Sequence, residues 1–600
     1  MQIKLSKYIS EFMVNQGVEH VFTVTGGGAM HLNDAFGHEE KLQCVYNHHE
    51  QACAIAAEGY TRLSGKLSLV CVTSGPGGTN AITGVLGGWL DSIPMFVISG
   101  QVKRETTLWS TDVPLRQLGD QEYNIIDSVT PMTKYAQMVT EPEKIRYHLE
   151  KAMYLALNGR PGPVWLDIPL DVQAAIIETE ELEGFNPEEL KKENPIYDEK
   201  MTEEILNKIK AAKRPVILAG TGVRVADAQK EFIACIEKLG VPVVTAWNAH
   251  DLLWSEHELF CGKPGTVGTR GGNFVVQNCD LLLVLGCRMN IRIISYNKHC
   301  FAKDAYKIVV DIDENELKKP TVKVDMPIHA NVKDVMKAVT ESDYKSENEI
   351  HSKWLEWCRT IDAKYPATSD KHYLKSKPMN PYAFLKEAFS AFEEGEAIVC
   401  GNGAACVMTF QAAQIKKNQR LFTNSGCAAM GYGFPAAIGA CFSRKDKRTI
   451  CIDGDGSFQM NLQELQTVVY NQLDLKIFYL NNNGYHSIRQ TQTNLFQPPL
   501  VGVCDGNGLS FPDAQKIAYA YGIQYVKIDD INDAKEKVKQ VLNTNGPVFC
   551  EVVVDPEQNF EPKLSSKVLP DGKIVSPELD DMYPFLPREE YEQNKNVILY

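Results

Sequence analysis

Residues 451–460 read CIDGDGSFQM, an apolar strand that runs straight into Gly-Asp-Gly-Ser. The stretch that follows, MNLQELQTVVYNQLDL (460–475), places Leu462, Leu465, Val468 and Val469 on one helical face. A second apolar strand, KIFYL (476–480), then stops at NNNGY (481–485). Strand, helix and strand make a β-α-β unit, and a parallel sheet puts both closing turns on its carboxyl edge, where ligands collect. Asp455 and Asn482, 27 positions apart, can therefore converge. A lone GDGS is more often a plain turn. Paired with NN at the end of the next strand, it offers a carboxylate, an amide oxygen and a glycine carbonyl. Those hard donors suit an octahedral Mg²⁺ that also takes oxygens from a diphosphate. The backbone of Gly454, Gly456 and Ser457, at a helix N-terminus, supplies amides to an anion.

The same strand–helix rhythm extends over the chain. Residues 1–173 contain HVFTVTGGG, LSLVCVTSGPGG, MFVISGQV and GPVWLDIPLDVQ, buried strands closed by Gly-rich turns. An acidic stretch makes 174–200 a linker, and 201–342 resumes with RPVILAGTG, VPVVTAW, CDLLLVLGCR and YKIVVDID. A second polar linker, 343–379, precedes a third block at 380–555. The tail, 556–600, is rich in proline and charge and reads as an arm over the surface. The expectation is an α/β chain of three doubly wound domains with mostly parallel sheets.

Composition excludes several classes. Six hundred residues are too many for one core. A formal charge of −14 argues against nucleic-acid binding, and no apolar run approaches the length of a membrane span. The N-terminus, MQIKLSKYISEFMVNQGVEHVF, reads as an amphipathic helix leading into a strand, not a signal peptide. Sixteen cysteines without a CxxC pair, placed mostly in apolar strands as at Cys71, Cys279 and Cys451, suit a reducing, cytoplasmic setting.

With GDG and NN so paired, nearly the whole chain resembles the thiamine diphosphate (ThDP) enzymes. The resemblance implies metal ligation by Asp455, Asn482 and the Gly484 carbonyl, with Gly403, Gly454, Gly456, Ser457 and Tyr485 around the cofactor. It also implies a glutamate that activates the aminopyrimidine, in a His-Glu-Gln context on a helix. NHHEQACAIAAEGYTR (47–62) supplies Glu50. Alone, Glu50 is more often a solvated helix charge; beside Ala52, Ala54, Ala56 and Ala57 on a tightly packed helix, a charge needs a partner. TSGPGGTNAITGVLGGWLDSIPMFVISGQV (73–102), NGRPGPVWLDIPLDVQ (158–173) and SGCAAMGYGFPAAIGA (425–440) are similar to the acetohydroxyacid (acetolactate) synthase branch. That likeness puts Thr73 and Asn80 near the cofactor and makes Met430 the bulky residue that wedges under it. In that branch the middle domain holds FAD. Arg288 and Arg292 match two arginines it keeps, and LAGTGV (218–223) is a Gly-rich turn without the full GxGxxG. Taken alone, both arginines are surface salt-bridge formers. The family builds its sites between two subunits, which implies a homodimer at least and a tetramer as an extension.

Departures from the branch bear on substrate. A Phe before its Gln-Glu pair is Asp120 here, and a Lys is Leu170. Its Gln-His pair is Ala404-Ala405, and its Met and Trp after the Asn-Asn turn are Ser487 and Thr491. Smaller side chains widen the acceptor pocket. The expectation is a ThDP- and Mg²⁺-dependent carboligase that decarboxylates a 2-oxo acid, with pyruvate as donor. It would transfer the acyl unit to a bulky carbonyl acceptor, such as a nucleotide-linked keto-deoxysugar. The alternatives are acetolactate synthase proper and a simple 2-oxo-acid decarboxylase. The latter usually carries a His-His pair ahead of the Gln-Glu region, and QLGDQEY has none. A non-enzymatic relative would have lost Glu50, Asp455 or Asn482. His486, beside the widened pocket, is either an ordinary turn histidine or a proton-transfer group.

Overall fold

The computed structural model describes residues 1–190, 197–346, 348–496, 498–568 and 571–597. Residues 191–196 and Glu347 of the expected linkers, Gln497, and 569–570 and 598–600 of the expected arm lie outside the described residues.

Three wholly parallel sheets carry the fold. The first part of the chain runs β1 (Gln2–Lys4), β2 (His20–Thr23), β3 (Gln43–Tyr46), β4 (Leu69–Val72), β5 (Phe96–Gln101), β6 (Ala136–Met138), β7 (Val164–Pro169) and β8 (Ile176–Glu178). Six of these form a parallel sheet in the order β3-β2-β4-β5-β7-β6, and β1 pairs antiparallel with β8 as a separate ribbon. The middle sheet joins β9 (Pro215–Ala219), β10 (Val243–Thr245), β11 (Leu281–Leu285), β12 (Tyr306–Asp311) and β13 (Met326–His329) in the order β10-β9-β11-β12-β13. The third takes β14 (Ala397–Cys400), β15 (Arg420–Phe422), β16 (Thr449–Gly454), β17 (Leu475–Asn481), β18 (Gln524–Ile528) and β19 (Val548–Val553) in the order β15-β14-β16-β17-β19-β18. Counted from their own first strands, the first and third sheets share one order, 2-1-3-4-6-5, and the middle sheet follows 2-1-3-4-5. Each sheet therefore reverses direction beside its first strand, which opens a crevice at the carboxyl edge. Strands such as β4 and β11 are apolar and buried at every position, as strands covered on both faces must be.

The three parts share cores. One apolar cluster joins Phe22, Ala56 and Tyr60 to Phe434, Ala437 and Phe442; another joins Trp247 and Phe274 to Phe410 and Leu421. Between the first and third sheets, the helices Glu50–Ser64 and Gly433–Phe442 cross with their backbones in contact. A Cβ on Gly439 would lie 1.8 Å from the Ala56 carbonyl oxygen, and one on Gly59 would lie 2.3 Å from that of Ala436. The run of small residues on the first helix is what permits this approach.

Two local expectations are corrected. The segment after GDGS is not one helix: a four-residue turn of helix, Asp455–Phe458, passes through a 3₁₀ stretch with Asn461 at φ −132° into Leu465–Tyr470. Asn461 breaks the run because its amide donates to the Gly431 carbonyl (2.7 Å) and the Gln51 side chain (3.2 Å). Cys279 lies at the end of the helix Arg270–Asn278 rather than within a strand. Beyond β19 the chain returns to the middle part. Leu564 N–H donates to the Thr266 carbonyl (2.7 Å), and the Arg270 guanidinium donates to the carbonyls of Met582 (3.1 Å) and Pro584 (2.6 Å). Among the described residues no helix is long and apolar enough to cross a membrane.

Candidate active site

The third sheet reverses between β14 and β16, so the turns after β14, β16 and β17 meet at one edge. Asp455, 2 % exposed, opens the short helix after β16. Its Oδ1 accepts the Gly456 N–H (2.7 Å), and its Oδ2 accepts those of Asn482 and Gly484, both at 3.1 Å. Burial pushes the Asp455 carboxyl up to about 6 even though those amides pull it down. The Asn482 Oδ1 is buried and has no hydrogen-bond partner among the described residues. A desolvated carboxylate beside an orphaned amide oxygen and a glycine turn is a donor set that fits a hard divalent cation.

Around this turn the backbone is crowded. Gly456 sits against the Tyr485 ring: a Cβ there would lie 2.3 Å from Cε1 of Tyr485 and 3.5 Å from the terminal methyl of Met430. Ser457 Oγ accepts the Gly431 N–H (3.0 Å), so the loop carrying Met430 is fastened to the GDGS turn. Gly403 is exposed at φ +78°, immediately before the helix Ala404–Ala412. Arg489 was not anticipated. Its guanidinium donates to the carbonyls of Asn482 (3.3 Å) and Asn483 (2.8 Å) and braces the turn from one helical turn away.

The first sheet supplies a separate group of residues. Glu50 begins its helix, half-buried, and its Oε2 accepts from Asn80 Nδ2 at 2.9 Å. Thr73 Oγ1 accepts the Gly28 N–H (3.1 Å) and draws the two Gly-rich turns of this sheet together. Glu464, fully buried, joins this group to the third sheet: its carboxylate accepts from Asn47 Nδ2 and the His48 N–H, both 2.9 Å, and from Thr467 Oγ1 at 2.7 Å. An acidic residue beside Leu465 in an otherwise apolar stripe was the available signal for it. Among the described residues, no hydrogen bond joins Glu50 or Asn80 to Asp455, Asn482, Gly484 or Met430.

His486 faces inward. It is 4 % exposed, pairs through Nε2 with the Gln490 amide, and meets Phe560 of the tail edge-on with ring centroids 5.6 Å apart. Burial lowers it to about 4, with Arg489 adding to the effect, so it is neutral at pH 7. Its neighbour Ser487 faces the turn after β14: Ser487 Oγ is the atom nearest to a Cβ built on Gly403, at 3.9 Å.

At the reversal point of the middle sheet lies a cavity of about 290 Å³. The turns at 220–222 and 286–288 line it, together with Arg160 and Asp311. Arg292 stands behind the lining, its guanidinium 4.9 Å over the Trp247 ring. Asp311 is pushed up to about 6 by burial.

Family models match all three parts of this arrangement. The N-terminal TPP (thiamine pyrophosphate) binding domain of thiamine pyrophosphate enzymes matches residues 3–124, the central domain 202–339 and the C-terminal TPP binding domain 401–552. This chain belongs to the thiamine pyrophosphate enzyme family. Its relatives place the enzyme in the acetolactate synthase-like branch. It is 30 % identical to the acetolactate synthase isozyme 1 large subunit of Escherichia coli (strain K12), over 93 % of this chain and 95 % of that protein. It is 32 % identical to the acetolactate synthase large subunit of Corynebacterium glutamicum, over 94 % and 88 %. It is 30 % identical to the probable acetolactate synthase large subunit of Methanocaldococcus jannaschii, over 97 % and 98 %. The enzyme is thus a thiamine diphosphate-dependent catalyst of carbon–carbon bond formation. The relatives favour acetolactate synthesis over the sugar-acceptor expectation.

Proposed function

We infer that the enzyme decarboxylates pyruvate and joins the retained two-carbon unit to a second 2-oxo acid, forming an acetohydroxy acid. The observation that carries this reading is the meeting of Asp455, Asn482 and Gly484 at the carboxyl edge of a sheet whose family binds thiamine diphosphate. When bound, that cofactor supplies the electron sink that lets CO₂ leave and the acyl carbon act as a nucleophile.

The residues of the chain have distinct tasks in this reading. Asp455, Asn482 Oδ1 and the Gly484 carbonyl would hold Mg²⁺, and the backbone amides of Gly403 and Ser457 would receive diphosphate oxygens, the Gly456 N–H being taken up by Asp455 Oδ1 and the Gly454 N–H by Asp453 Oδ1. Glu50 holds a proton at the aminopyrimidine N1′, and Asn80 fixes the direction of its carboxyl. Met430 and Tyr485, both close to Gly456, would constrain the shape of the cofactor and help to exclude water from it. His486, neutral at pH 7 and packed edge-on against Phe560, keeps a buried Nδ1 without a partner among the described residues. The middle-sheet cavity, lined by the guanidinium groups of Arg160 and Arg288 and by the glycine turns after β9 and β11, fits a flavin dinucleotide.

Two chains complete each site in this reading, since Glu50 and Asp455 lie in separate groups. The exposed apolar residues Trp109, Val113, Leu115, Leu118 and Tyr123, all on one segment, suit a second copy of the chain.

A larger ketone as acceptor is the second reading, favoured by the small residues on two facing turns: Gly403 and Ala404 on one and Ser487 on the other. Product analysis separates the readings. The protein is incubated with ThDP, Mg²⁺ and pyruvate, with and without a nucleotide-linked 4-keto-deoxysugar. Abundant acetolactate without the sugar supports the first reading. A branched sugar with only slow pyruvate loss in its absence supports the second, and acetaldehyde in both tubes defeats both.

A further inference from the structure

The helix Pro76–Asp91 begins beside Asn80, the partner of Glu50, and ends at a buried carboxylate where the three parts of the chain meet. Asn80 and Asp91 are eleven residues apart on it, about 16 Å at the helical rise. The Asp91 side chain is 4 % exposed. Its Oδ1 accepts the Gly426 N–H at 2.8 Å and its Oδ2 the Ser425 N–H at 3.0 Å. Arg62 of the first part pairs with the same carboxylate at 2.9 Å, and Arg288 of the middle part reaches Oδ1 at 3.9 Å.

Each of these contacts leads somewhere. Ser425 and Gly426 open the loop that carries Met430, and Ser425, Asp91 and Arg288 all line the middle-sheet cavity. The loop is pressed against the helix end: a Cβ on Gly426 would fall 2.6 Å from the Leu90 Cβ and 2.7 Å from Asp91 Oδ1. Asn248 of the middle part brackets the start of the same loop, accepting the Thr423 N–H (3.0 Å) and donating to the Thr423 carbonyl (2.8 Å). Ala428, within the loop, sits at φ +54°, a conformation that a non-glycine residue keeps only when its surroundings impose it.

We propose that Asp91 is a positioning residue that couples the two cofactor sites: an anionic dinucleotide in the middle-sheet cavity, engaging Arg288 and lying against Ser425, fixes the Ser425–Met430 loop through Asp91 and so tightens ThDP binding. The inference rests on the flavin reading of the cavity and extends it, giving the dinucleotide a task at the reacting site. Ordering the loop before ThDP arrives removes an ordering cost that ThDP would otherwise bear. Linkage makes the effect reciprocal: ThDP must tighten dinucleotide binding by the same factor.

Two pairs of titrations on the whole protein test it, with FAD as the probe: ThDP with excess Mg²⁺, with and without saturating FAD, and FAD with and without saturating ThDP. The expected result is a mutual tightening of about 5-fold or more. In Asp91→Asn both ligands still bind and the factor falls close to one. Arg288→Lys, which keeps a charge on the cavity wall but loses the guanidinium, must shrink it too and serves where Asp91→Asn does not fold. FAD binding to the wild type with no change in ThDP affinity, or a full factor in the variants, overturns the coupling and leaves the flavin reading standing. No FAD binding to the wild type sinks the flavin reading and the coupling with it.

Discussion

Glu50 and Asp455 are both carboxylates at the first position of a helix, yet their surroundings assign them different work. Asp455 is almost fully enclosed and takes three backbone N–H groups, whereas Glu50 is half-open and takes one side-chain amide. Asp455→Ala removes the carboxylate that faces Asn482 and Gly484, so Mg²⁺-dependent ThDP affinity is expected to fall by at least tenfold in a fluorescence titration. Glu50→Gln leaves that turn intact. ThDP should still bind, while proton exchange at the cofactor C2, followed by NMR, slows by two or more orders of magnitude and turnover disappears. Near-normal exchange in Glu50→Gln would mean that another group activates the cofactor.

At the scale of elements, the helix crossing of Glu50–Ser64 with Gly433–Phe442 decides how the first and third sheets sit together. Gly439→Ala forces a methyl into the Ala56 carbonyl; about 1–3 kcal/mol of stability should go, seen as a lower midpoint in denaturant. Strand β2 carries a pH effect. His20 is buried against Tyr60 and Phe442, with ring centroids 4.7 and 5.7 Å away, and burial lowers it to about 4. Between about 6.5 and 4 the unfolded chain binds a proton that the native state refuses, so stability declines as pH falls through that window. His20→Phe should flatten the decline of the thermal midpoint between pH 6.5 and 4, while leaving the midpoint at pH 8 nearly unchanged. The β-α-β unit around GDGS was legible because every signal for it lies between residues 451 and 485. The break at Asn461 was not, because its cause lies at Gly431 and Gln51. His486 was open to two readings for the same reason: Phe560, which covers it, comes 74 positions later.

For the molecule as a whole, the sequence showed three α/β blocks, and the sheets add that the first and third share one strand order. The junction at Asp91 could not be read from the chain, since its partners Arg62, Arg288, Ser425 and Gly426 are scattered over more than three hundred positions. Glu50 with Asn80 and Asp455 with Asn482 belong to different sheets, and among the described residues no hydrogen bond joins the one group directly to the other. A lesion in one group therefore spares the other, and two differently crippled proteins carry a sound copy of each between them. Glu50→Gln chains unfolded and refolded together with Asp455→Ala chains should form mixed dimers with one doubly damaged site and one intact site. With random pairing, about a quarter of the normal number of working sites returns. Activity restored from two dead preparations would mean that catalysis is a property of the pair; continued silence would mean that each chain closes its site alone.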